Sequence, residues 1–324
     1  MPLCCRPLSS SLYRSNKAVS GTLLPMNQDI GPHDNGSHDN GSFTGVRGLR
    51  LRHRTWLPRG MPLGVVVIAH GFAEHGGRYA YLAERLTAEG YAVRALDHRG
   101  HGLSDGKRTR VVRFSDYVED LGLFIESGRE RFPGLPSFLL GHSMGGLVAL
   151  AYAVSQPASI DALVVSAPAA CAGDVSRYRV TAGKVLSRVA PDAPVLRLPL
   201  QKISRDPVVV AAYNRDPLVF RGPIRARLGA EMLATMEAVD AALPRLRLPL
   251  LVMQGTRDGL VDPLCGPHVY ELSGSPDKTL KMYDGLWHEI FNEPERDAVI
   301  GDLVAWLNAR LTREPEAPPS RISR

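Results

Sequence analysis

No stretch of this 324-residue chain approaches the ~18 consecutive apolar residues that a membrane-spanning helix needs. The best apolar run, Met61 to Ala69, falls well short, and no apolar h-region follows Arg6 as it would in a signal peptide. Those absences point to a cytoplasmic protein. Cysteine is scarce too. Cys4 and Cys5 are neighbours near the N-terminus, and Cys171 and Cys265 lie far apart in the chain. Neither a disulfide framework nor a zinc spacing results, so the four read as thiols without catalytic role. Aromatic residues are only 6% and charged residues 22%, ordinary for a globular enzyme. The net charge of +6 is unevenly spread: Cys171 to Leu228 carries eleven Arg and Lys against four Asp. No zinc-finger or other nucleic-acid motif accompanies that excess, so nucleic acid is not an expected partner. No obligate protein partner is evident either.

The ends are poor in apolar residues. Residues 1–44 are rich in Ser, Asn, Gly and Asp and include a tandem His-Asp-Asn-Gly-Ser repeat at 33–42. Such a segment buries too little apolar surface to offset its ordering entropy, so a disordered tail is expected. Residues 312–324, with Pro315, Pro318 and Pro319, read as a second flexible tail. Between them strand and helix patterns alternate. Strands are expected at 64–69, 91–97, 137–140, 162–166, 248–254 and 280–283. Helices are expected at 79–89, 114–131, 145–155, 267–272 and 295–311. The run Gly64 to Ala69, GVVVIA, suits a strand covered on both faces. Alternation of this kind gives an α/β fold, a mostly parallel sheet with helices on both faces and ligands at the carboxyl ends of its strands. Residues 171–225 break the rhythm with six prolines and no clear strand. They read as a cap inserted between core segments 45–170 and 226–311.

One motif carries chemistry. Gly141-His142-Ser143-Met144-Gly145-Gly146 fits G-x-S-x-G, where a strand turns sharply into a helix and presents a serine. The glycines remove side chains that would clash in that turn, and the helix N-terminus offers free N–H groups to an oxyanion. Gly102-Leu103-Ser104-Asp105-Gly106 fits the same pattern, but no strand precedes it and Lys107-Arg108 follows, so Ser104 reads as a loop serine. A serine nucleophile needs a base, and the base needs an orienting acid. Asp258, just after the strand ending near Gly255, is favoured as the acid over Asp262. His288, after the last strand, is the candidate base. The N–H groups of Met144 and Phe72 are the candidate oxyanion donors, and Gly71 allows close backbone approach. His70 is expected to order that loop by hydrogen bonding. A dehalogenase or epoxide hydrolase would want a carboxylate at the elbow, and a non-catalytic module on this fold would show a broken triad.

The segments His70 to Tyr79, Asp97 to Ser104 and Gly141 to Gly146 together resemble the monoacylglycerol lipases of the α/β-hydrolase fold, above all their actinobacterial members. The resemblance runs from about Val46 to Leu311 and includes Ser204 to Pro207 and His288-Glu289 with Phe291 to Pro294. It implies the triad Ser143, Asp258 and His288, the oxyanion donors Phe72 and Met144, and a mobile cap over a lipid tunnel. It implies hydrolysis of a monoacylglycerol to fatty acid and glycerol, with no cofactor and no metal. Lysophospholipases and broad carboxylesterases share these motifs, and an acyltransferase would use the same machinery. In the cap, Val185, Leu186, Val195, Leu196, Leu198 and Leu200 are expected to meet acyl chains. Its basic residues are expected to face anionic lipid, a peripheral contact with a membrane surface.

Overall fold

The structure, a computed structural model, describes residues 38–171 and 177–311. Ten strands and eight α-helices are defined among them. The expected tails at 1–37 and 312–324 lie outside the described residues.

Eight strands form one sheet: β1 (His38–Thr44), β2 (Arg50–Trp56), β3 (Gly64–Ala69), β4 (Tyr91–Leu96), β5 (Ser137–His142), β6 (Ala162–Ser166), β9 (Leu250–Gly255) and β10 (Lys278–Tyr283). Their spatial order is β1-β2-β4-β3-β5-β6-β9-β10. All pairs from β4 to β10 are parallel, while β2 runs antiparallel to both β1 and β4. Strand β3 shows why the sheet needs two covers. Val65, Val67 and Ala69 enter one buried cluster, Val66 and Ile68 the other, as the two-residue period of a strand demands. The first cluster is closed by α2 (Ser115–Arg131), α3 (Met144–Ser155), α6 (Ala226–Ala242) and α7 (Cys265–Leu272). The second is closed by α1 (Ala80–Ala88) and α8 (Arg296–Asn308). Each large aliphatic side chain so buried contributes about 1.5–3 kcal/mol.

The chain leaves β3 to form β4 on one side and returns to form β5 on the other. The chain therefore leaves β3 and β5 in opposite directions, and the loops after both strands meet at the carboxyl end of the sheet, where ligands of such folds bind.

Two readings of the sequence change. Residues 38–44, expected in the loose tail, form β1. Its polar sequence gives no strand signal of its own; it is held by pairing with β2, from His38 opposite Trp56 to Thr44 opposite Arg50. Phe43 stacks on Phe124 at 5.3 Å, and Val46 N–H donates to Asp120 Oδ1 at 2.8 Å just beyond the strand. The segment 171–225 does contain strands: β7 (Pro194–Leu196) pairs with β8 (Ile224–Arg225), short and apart from the main sheet. It also holds α4 (Arg177–Val189) and α5 (Pro207–Arg215). Asp206 caps α5 by accepting from Val208 N–H at 2.8 Å, with Pro207 opening the helix. The segment is tied to the core by His75 Nε2 to Asp216 Oδ2 at 2.8 Å, Phe220 N–H to Ala73 O at 2.8 Å and Lys107 Nζ to Asp192 Oδ2 at 3.0 Å.

Candidate active site

Strand β5 ends at His142, and Ser143 follows at φ 55°, ψ −119° before α3 begins. A non-glycine residue there costs on the order of 1–3 kcal/mol and persists only where its surroundings fix it. Here they do. Ser143 N–H donates to Ser166 O at 3.0 Å, and Ser143 O accepts from Ala169 N–H at 3.0 Å. The flanking glycines are needed for space. A Cβ on Gly141 would strike the carbonyl of Gly145, and one on Gly145 would strike the carbonyls of Ala69 and His70. The elbow thus presses against the end of β3.

The loop after β3 lies against the serine, so close that a Cβ on Gly71 would stand 3.2 Å from Ser143 Cβ. His70 fixes this loop. Its Nε2 accepts from His98 N–H at 2.9 Å, which leaves Nδ1 to carry the proton and donate to Gly71 O at 2.7 Å. Burial first, then the neighbouring His98 and His101, hold its pKa well below the ordinary value, so the ring stays neutral. Phe72 and Met144 line the same cavity as Ser143. Met144 is the first residue of α3, so its N–H has no partner within the helix.

Asp258 follows β9 and His288 follows β10. His288 Nδ1 and Asp258 Oδ2 are 2.7 Å apart, and both residues are buried. Oδ2 also accepts from Gln254 Nε2 at 3.0 Å, while Oδ1 accepts from the N–H groups of Leu260 at 2.8 Å and Val261 at 3.0 Å. Burial pushes the Asp258 carboxyl up, but the adjacent His288 and the two N–H donors outweigh it and hold the group below its usual range. Burial likewise pulls His288 down. Asp258, with Glu289 and Glu74 further off, outweighs that and leaves the imidazole above its ordinary value. Asp262 is exposed and accepts from Leu264 N–H at 2.9 Å, so the structure pairs His288 with Asp258. Ser104 is a loop residue that accepts from Arg52 N–H at 2.8 Å and donates to Asp97 O at 2.5 Å, pinning its loop to β2 and β4.

Ser143 and His288 open into a cavity of about 650 Å³. Leu186, Val195, Leu196, Leu198 and Leu200 line it from the 171–225 segment, but Val185 does not and is 54% exposed. Met232, Leu233 and Met236 line it from α6, a helix that the sequence reading passed over. Cys171 lines it as well. Contact with Cys265 and burial raise the Cys171 thiol, so it is no thiolate nucleophile. His142, the residue before the serine, was not singled out either. Its ring packs 4.7 Å from that of His288, and burial and His288 lower its pKa to about 4, so it packs there uncharged.

A serine on a helix N-terminus, a histidine in the same cavity and a carboxylate behind that histidine form the constellation that acyl transfer uses. A sequence-family pattern described as serine aminopeptidase, S33, matches residues 60–295. The monoacylglycerol lipase of Mycolicibacterium smegmatis is 43% identical over 272 residues, 83% of this chain and 97% of its own. The chain belongs to the monoacylglycerol lipase family of α/β-hydrolases. The human monoglyceride lipase is 37% identical over 270 residues, covering 82% of this chain and 89% of that one. The crystal structure of the Paleococcus ferrophilus monoacylglycerol lipase superposes with a TM-score of 0.72 at 33% identity, over 80% of this chain and 99% of that one. Membership in the lipase family accounts for the sheet order and for an elbow built against the end of β3.

Proposed function

We propose that the protein hydrolyses monoacylglycerols to fatty acid and glycerol through an acyl-enzyme on Ser143. His288 takes the Ser143 proton as Oγ attacks the ester carbonyl, and the N–H groups of Phe72 and Met144 receive the oxyanion. His288 then protonates the departing glycerol oxygen. Water, activated by the same imidazole, cleaves the acyl-enzyme, and Asp258 holds the ring in the Nδ1–H tautomer throughout. The observation that carries this reading is the cavity: a wall largely of aliphatic side chains meets a polar corner of Ser143, His288, His142, Glu74 and Glu289, with Asp262 as a further polar lining residue. An acyl chain fits the wall, and a small polar alcohol suits the corner. The names of the relatives supply the substrate class.

The 171–225 segment acts as a cap in this reading. Helix α4 exposes Val189, 75% exposed, together with Lys184 and Arg188, and α5 exposes Val208, 72% exposed. Basic and apolar side chains together suit peripheral contact with an anionic bilayer from which the substrate is drawn. No helix among the described residues is long and apolar enough to cross a membrane.

Fatty-acid release from monoacylglycerol and from lysophosphatidylcholine, measured side by side with Ser143→Ala as blank, tests the reaction. Release mainly from monoacylglycerol, lost in the variant, supports it; release mainly from the lysophospholipid moves the substrate. Liposome sedimentation tests the surface, and binding indifferent to anionic lipid and salt would overturn that part.

A further inference from the structure

Arg78 stands outside the Ser–His–Asp set and does not line the cavity, yet its side chain is only 10% exposed. It belongs to the short turn Gly76–Tyr79 that follows the His70–Phe72 loop. Its Nη1 donates to Glu74 Oε2 at 2.7 Å and to Glu289 Oε1 at 2.7 Å, and its Nη2 donates to Glu289 Oε2 at 2.7 Å. The Tyr213 ring of α5 covers the guanidinium, 4.5 Å from its carbon.

Each carboxylate has a second task. Glu74 Oε1 accepts Gly71 N–H at 2.6 Å and the Tyr79 hydroxyl at 2.8 Å, so it holds the peptide beside the Phe72 donor. Glu289 directly follows His288; its Oε2 also accepts from Asn292 Nδ2 at 2.9 Å, and its backbone N–H donates to Ile203 O at 2.8 Å. The two loops come from opposite ends of the sequence, and within this network only the planar fork of Arg78 reaches both. A fork of fixed geometry can serve two carboxylates at once, whereas an ammonium is a point charge.

We propose that Arg78 is a positioning residue for the reaction: by bridging Glu74 and Glu289 it holds the Phe72 N–H donor and the His288 ring in one register. The inference rests on the roles given above to Ser143, His288 and Phe72. Arg78 also has an electrostatic consequence that simple structural support would lack. The charged and titratable groups around His288 are Asp258, Glu289, Glu74, Arg78 and His142, with Tyr79 and Tyr213 behind them, and exposed Asp262 lines the same cavity. Both glutamates favour the imidazolium, and Arg78 offsets them.

The test compares Arg78→Met, Arg78→Lys and Glu289→Gln with the wild type, using fatty-acid release for kcat and KM across pH and thermal unfolding to confirm folding. Arg78→Met is expected to lower kcat on the order of 10²-fold with KM little changed, as a displaced donor and base would. It is expected to move the acid limb of kcat/KM to higher pH by uncovering two carboxylates. Glu289→Gln is expected to move that limb to lower pH, because it removes one carboxylate and leaves the guanidinium. Arg78→Lys is expected to recover only a small part of kcat. Limbs that stay at the wild-type position in both variants, or full activity in Arg78→Lys, overturn the proposal. If Arg78→Met does not fold, the direction of the Glu289→Gln limb decides. Labelling of Ser143 by a fluorophosphonate in the same preparations separates the two readings. Unmoved limbs with labelling intact overturn the role of Arg78 alone, while hydrolysis surviving in Ser143→Ala overturns the site assignment beneath it.

Discussion

Asp258 Oδ2 meets His288 Nδ1 at 2.7 Å, while Asp258 Oδ1 is committed to two backbone N–H groups, those of Leu260 and Val261. This fixes what an amide would do there. In Asp258→Asn the oxygen must stay with the two N–H donors, so the NH₂ group faces His288. Gln254, whose Oε1 has no partner among the described residues, can turn to accept from it. His288 Nδ1 must then accept as well, its proton moves to Nε2, and the ring cannot take a proton from Ser143. The expected outcome is a folded protein with kcat reduced on the order of 10⁴-fold. Steady-state fatty-acid release and a thermal melt check it. A loss below about tenfold would mean that Asp258 does not orient the base.

The acid limb of the wild-type profile follows from the same pair. His288 must be neutral to act as base. Its pKa is raised because Asp258, Glu289 and Glu74 together outweigh burial. A raised pKa keeps the imidazolium to higher pH, so activity is lost as pH falls through a value above the ordinary 6.5. The dependence of kcat/KM on pH should show one ionisation above 6.5. A limb below it would assign the base to a group whose pKa is depressed, such as His142.

Much of this was legible in the residues, and most of what was missed has physical reasons. The core strands could be read because burial on both faces leaves runs such as GVVVIA with few rival interpretations. The elbow could be read because a strained turn against the end of β3 demands glycine on both sides of the serine. Strand β1 could not, because HDNGSFT is held by backbone pairing, by the Phe43 ring and by an exposed Asp39–Arg131 pair, none of which leaves an apolar alternation in the sequence. Helix α6, passed over, carried a signal of its own, since its buried residues Leu228, Met232, Met236 and Val239 recur at helical spacing directly after the proline-rich segment. Arg78, Glu74 and Glu289 stood inside recognised motifs, but nothing in one sequence says that two loops about 200 positions apart share a guanidinium.

Gly145 sets the packing of α3 on β3. Its missing side chain lets the elbow rest on the carbonyls of Ala69 and His70, so even one methyl must push strand and helix apart. Gly145→Ala is expected to lower stability by about 1–3 kcal/mol. It should also move Met144 N–H away from the Phe72 donor. The variant should therefore lose kcat by more than its unfolded fraction explains, measured at a temperature well below its melt. A variant with wild-type kcat would show that the elbow tolerates displacement.

Acid should destabilise the protein through histidines that catalysis does not use. His70, His98 and His101 form one buried group, with His98 and His101 each packed edge-on to Tyr117 at 5.5 and 6.2 Å. Burial lowers His98 to about 3 and His101 to about 4, and it holds His70 well below its ordinary value. In the unfolded chain each would take up a proton near 6.5. The stability these neutral rings contribute is thus complete above pH 6.5 and is lost as pH falls from there toward their folded values. Each contributes a slope of up to about 1.4 kcal/mol per pH unit. His288, raised, works in the opposite sense, but burial also lowers His142 and His53 to about 4 each, so it is one ring against five. Carboxylates titrate mostly below this range, so denaturant unfolding between about pH 6.5 and 5 isolates the histidines. His98→Phe keeps a ring against Tyr117 and removes one proton site, so its stability should fall less steeply with pH than that of the wild type. An equal slope would mean that His98 does not stay neutral in the folded protein.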